Sequence, residues 1–165
     1  MGKHRVAGSA PAEEIIIAEC ADVDEQTVAY ILATRKHFED LRQVAAQLAG
    51  LLVLAAAGGK SATPDHPMLE AAEQLYRSAA DGVRSARPTE RAQPHHHHLL
   101  RAAETLGGAV SRARTEIQVD PILKPLQAAY AELQLASREL PGFEIISFEH
   151  GCCAGEHGRR AGIAP

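Results

Sequence analysis

Tryptophan is absent from this chain, and aromatic residues make up only 4% of its 165 residues. β-Sandwiches draw on β-branched and aromatic side chains, so this scarcity argues against an all-β fold. Cysteine is scarce too. Cys20, Cys152 and Cys153 are too few and too clustered for a disulfide scaffold. No charge of one sign dominates: the formal net charge is −4, with charged residues at 23%, which excludes a long-range pull toward nucleic acid. The most apolar stretch, residues 44–57, falls short of the ~20 residues that a membrane span needs. The first residues, MGKHRVAGSAPAEE, have no apolar core behind their basic side chains and do not read as a secretory signal. These absences together lead to the expectation of a cytoplasmic protein with reduced thiols, no transmembrane segment and no nucleic-acid partner.

What is plentiful is alanine and leucine, the palette of close-packed helices. In the first helix, Val28, Ile31, Leu32, Phe38, Leu41, Ala45, Leu48, Leu52 and Ala55 recur at three- and four-residue steps, which places them on one helix face. The spacing predicts a helix over 25–57, on the order of 50 Å long. Asp22 and Glu25 match a capping box at its start, and Gly58-Gly59 stops it. Pro67, at a first helical position, opens a second helix that fades near Arg87-Pro88. Pro94 opens a third, which contains His95, His96, His97 and His98. Its Gly107-Gly108 pair weakens the middle or lets another helix come close. Asp120-Pro121 reads as a cap and first turn of a fourth helix, with Pro125 as the point where regular helix begins. Pro141-Gly142 ends it.

Two short apolar runs, 13–20 and 143–150, resemble each other and read as extended segments. The expected fold is therefore all-α: an antiparallel four-helix bundle with one over-long helix and short extended segments near both termini. Residues 1–12 are read as a flexible tail, 13–150 as the bundle domain, and 151–165 as a C-terminal tail containing Cys and His.

Several patterns are excluded. Gly58-Gly59-Lys60-Ser61 matches only the end of a phosphate-binding loop, with Leu54 where glycine is needed and a helix rather than a strand in front. No Glu-X-X-His occurs, which removes the carboxylate-bridged di-iron bundles. No Gly-X-Ser-X-Gly elbow or Ser/His/Asp set is present.

Two function classes lead, and an enzyme with an acid-base or thiol site between helices ranks last because no constellation supports it. In the first, a non-enzymatic assembly or adaptor protein forms a homo-oligomer or docks a protein partner through its first helix. Leu51, Leu52, Val53 and Leu54 leave that helix almost no polar face, and a helix apolar all round must be covered on all sides. Leu48, Leu51, Leu52 and Leu54 are the expected contacts. In the second, a metal-binding or metal-delivery protein uses His150, Cys152, Cys153 and His157, with Cys20 as a further ligand. Thiolates and imidazoles suit zinc, copper or iron. Against it, adjacent cysteines diverge and no second pair is present. A dithiol redox role ranks lower, because the spacing is not Cys-X-X-Cys. His95 and His98 share a helix face three residues apart. The favoured reading of the His run is a solvated first turn, which mild acid loosens through the helix dipole.

Overall fold

The computed structural model describes residues 23–58, 63–115 and 117–144. Four α-helices account for most of them: α1 (Glu25–Ala56), α2 (Pro67–Ser85), α3 (Gln93–Thr115) and α4 (Val119–Glu139). No strand occurs among the described residues. Of the two expected extended segments, 13–20 lies outside the described residues. Of 143–150 only Phe143 and Glu144 are described, and neither is in a strand.

The helices form the expected antiparallel four-helix bundle. Successive helices pack side by side, and α4 returns to close against α1. The α3–α4 seam is the most extensive and the α1–α4 seam the thinnest of the four. Alanine explains the close seams. Ala72 and Ala79 on α2, Ala102 and Ala109 on α3, and Ala129 and Ala136 on α4 are all fully buried. Leu41, Leu48, Leu69, Leu99, Leu106, Ile122 and Leu133 fill the space between. Each such side chain contributes about 1.5–3 kcal/mol by leaving water.

Helix starts differ from the sequence reading in three places. The cap of α1 is Asp24, whose carboxylate accepts from the Thr27 backbone N–H at 3.0 Å and from the Thr27 hydroxyl at 2.7 Å. These bonds, the hydroxyl first, hold its carboxyl below the usual range. The expected cap, Asp22, lies outside the described residues. At α4 the cap position is Gln118, which makes no side-chain bond, and Asp120 sits in the first turn. Pro125 lies inside α4 rather than at its start. Its ring leaves the Pro121 carbonyl without the usual amide partner. The Arg112 guanidinium of α3 donates to that carbonyl at 2.9 Å, so the helix continues through the proline.

The over-long α1 has 32 residues against 19, 23 and 21 in the others. Gly82, near the end of α2, lies against His37, so the turns of α1 before His37 extend beyond α2. The chain itself covers much of that excess. The Thr27 and Thr89 hydroxyls bond at 2.7 Å, and Tyr30 meets the first turn of α3. At the other end Leu48, Leu51 and Leu52 are buried in the chain's own core. The expectation that leucines there outrun the cover of one bundle holds only for the last turn, where Val53 is 68% and Leu54 39% exposed.

Candidate functional site

Two places combine polar or apolar groups in ways that packing alone does not require. The first is the end of the bundle where α1 and α3 begin and α4 ends. The His run does not form a solvated first turn here. His95 is fully buried, His96 is nearly so, His97 is exposed, and His98 is half-buried. The helical period turns His95 and His96 toward α1 and His98 toward α4, where its Nδ1 lies 2.8 Å from Glu132 Oε2. His95 and His98 therefore do not act together.

Tyr30 Oη stands 2.9 Å from His95 Nδ1 and 3.2 Å from His96 Nδ1. One hydroxyl has one hydrogen to give, so at least one imidazole donates to it. His95 Nε2 is buried with no partner among the described residues. If His95 donates from Nδ1 to Tyr30, and Tyr30 donates to His96, the only orphan is a lone pair on His95 Nε2. The reverse order would strand an N–H there. Three aromatic neighbours complete the box: the Tyr30 ring meets His95 edge-on at 5.6 Å, Phe38 lies at 6.5 Å, and Phe143 at 4.1 Å between centroids. Phe38 and Phe143 also meet edge-on at 5.2 Å.

Desolvation, with smaller repulsions from His96 and His98, lowers the His95 pKa to about 4. Burial lowers that of His96 and raises that of Tyr30. These shifts keep both imidazoles uncharged at neutral pH.

The second place is the thin seam between α1 and α4. It opens as a solvent-facing groove of about 900 Å³. Ala45, Ala46 and Ala49 of α1 line one side, and Leu123, Leu126 and Tyr130 of α4 the other. Leu123 and Tyr130 are exposed. The rim is polar, with Gln43, Gln127 and the Glu39–Arg42 pair at 2.8 Å. Arg42 also reaches over the Phe38 ring at 5.9 Å. The arrangement can receive an apolar side chain or helix.

Of the residues the sequence singled out as partner contacts, Leu48, Leu51 and Leu52 face inward and Leu54 faces out. The proposed metal ligands Cys20, His150, Cys152, Cys153 and His157 all lie outside the described residues. Among the described residues, no group of three His, Cys, Asp or Glu side chains is placed to hold a metal. No helix among them is long and apolar enough to cross a membrane. Sequence reasoning missed Tyr30 and Phe143 as partners of His95. The usable signal was aromatic scarcity itself, since half of the chain's three tyrosines and three phenylalanines gather around one histidine. No family model matches the chain, and comparison with curated proteins and with solved structures finds no match either.

Proposed function

We propose that this protein is a non-enzymatic assembly module that joins a second copy of itself through the outer face of α1 and the α1–α4 groove. The groove is the observation that carries this reading. Its α1 side is floored by small side chains, which let another helix approach closely, and its α4 side offers Leu123 and Tyr130 as exposed apolar contacts. Each copy also carries something that fits such a groove. Val53 and Leu54 sit on the exposed last turn of α1, and Gly50 one turn earlier has open space beside it. One surface that holds both a groove and an apolar helix end can pair with itself about a two-fold axis.

The test is mass in solution across a wide concentration range, by light scattering. The expected result is a mass above the 17.6 kDa of one chain that rises with concentration. Ala49→Arg, which places a charge in the groove, is expected to return the protein to single chains with unchanged helicity. A single-chain mass at every concentration removes the proposal.

A further inference from the structure

Phe143 is held where the chain turns back after α4. Gly142 takes the positive φ of 86° that this turn requires, and its N–H donates to Glu144 Oε1 at 2.9 Å. Leu140 and Phe143 are both buried, and Phe143 lies directly against the ring of His95. Among the described residues, the cover over this imidazole after α4 is thus one side chain beside a glycine turn, not a helix. We propose that Phe143 is an acid-released latch: it closes the bundle end over neutral His95, and protonation of that imidazole frees Phe143 and the turn that carries it. This inference stands on the bundle end alone and is independent of the assembly reading.

The physics runs through the unpartnered nitrogen. An added proton on His95 Nε2 has no acceptor among the described residues. A buried imidazolium without a partner is strongly disfavoured, and lifting the lid lets water solvate it. Among the described residues, the groups facing His95 do not offset this charge. From α1 it faces the Tyr30 hydroxyl and the Phe38 ring. On its own helix it is opposed by His96 and His98. On α4 Glu132 is taken up by His98 and Arg101, and Glu139 ends the helix on its exposed side. After α4 it faces Phe143, and Glu144 is bonded to the Gly142 amide.

The sign and size follow. His95 titrates at about 4 when closed in, against 6.5 for a free imidazole. The opened state therefore binds the proton more readily. The latch is fully favoured above 6.5 and weakens as pH falls, by about 160-fold at pH 4 and at most about 300-fold below it. Burying one phenylalanine favours closure by about 10- to 150-fold, so the proton supplies enough to reverse it. The Asp24 cap at the same end does not titrate first, because its carboxyl is held below the usual range.

The experiment follows residue 143 in the full chain by ¹⁹F NMR. Phenylalanine is replaced by 4-fluorophenylalanine, and the line is assigned by its loss in Phe143→Leu. Between pH 7 and pH 4 the line is expected to move to a solvent-exposed position while helicity by circular dichroism stays constant. In His95→Phe it is expected to stay buried, and in Glu144→Gln, which keeps the acceptor but cannot titrate there, it moves as in the parent. A line that never moves, that moves only with loss of helicity, that moves equally in His95→Phe, or that stops moving in Glu144→Gln overturns the proposal. Should His95→Phe fail to fold, Tyr30→Phe replaces it. Without the hydroxyl that bonds neutral His95, the transition is expected at higher pH, and an unmoved midpoint overturns the latch.

Discussion

A methyl group added at Gly108 meets nothing within 4 Å, whereas one added at Gly82 overlaps the ring of His37. Both glycines sit inside helices, so alanine gains about 0.5–1 kcal/mol of backbone entropy at either site. At Gly82 that gain is outweighed. The His37 ring is packed between α1 and α2, and displacing packed atoms costs about 1–3 kcal/mol. Gly108→Ala is therefore expected to raise stability by about 0.5–1 kcal/mol, and Gly82→Ala to lower it by about 1 kcal/mol, as read by urea unfolding. Repeating Gly82→Ala in a His37→Ala background should turn the loss into a gain. Gly107 falls between them, because the group in the way is the hydroxyl at the far end of Tyr76, which can swing aside. The sequence showed two adjacent glycines and two uses for them. It could not say which glycine faced another helix, because adjacent positions on a helix differ by about 100° in direction.

Helices were legible wherever apolar residues kept a 3.6-residue period, and their ends were less so. α1 was expected over 25–57 and spans Glu25–Ala56, and the proline at the start of α2 stands where it was expected. The start of α4 was hidden because its deciding partner is on another helix. A proline seven residues into a helix leaves a carbonyl unpaired, and Arg112 takes that carbonyl only once α3 and α4 have packed. This makes a testable coupling. Pro125→Ala restores the amide and is expected to stabilise α4. Arg112→Ala is expected to cost about 0.5–1 kcal/mol in the parent and little in the Pro125→Ala chain. Equal costs in both backgrounds, measured as a double-mutant cycle by thermal or urea unfolding, would show that the guanidinium does not replace the missing bond.

At the scale of the whole molecule the bundle was readable and its inner and outer faces only partly so. Leu51, Leu52, Val53 and Leu54 follow one another, and a continuous apolar run carries no period from which to choose a face. The packed chain makes the choice, turning Leu51 and Leu52 in and Val53 and Leu54 out. The box around His95 was illegible for a related reason: Tyr30, His95 and Phe143 are far apart in the chain, and the packing of α3 on α1 together with the return of α4 brings them to one end. The split among the four residues separates folding from assembly. Leu51→Ala empties a site in the core and is expected to cost about 2–5 kcal/mol in urea unfolding. Val53→Ser with Leu54→Gln changes exposed positions, and such changes usually alter stability by less than about 0.5 kcal/mol each. The same pair removes the apolar end that a second copy would bind, so it is expected to lower the mass seen by light scattering while the unfolding midpoint stays in place. If the double substitution leaves the mass unchanged and Leu51→Ala alone dissociates the protein, the last turn of α1 is not the contact, and any association depends on the integrity of the core instead.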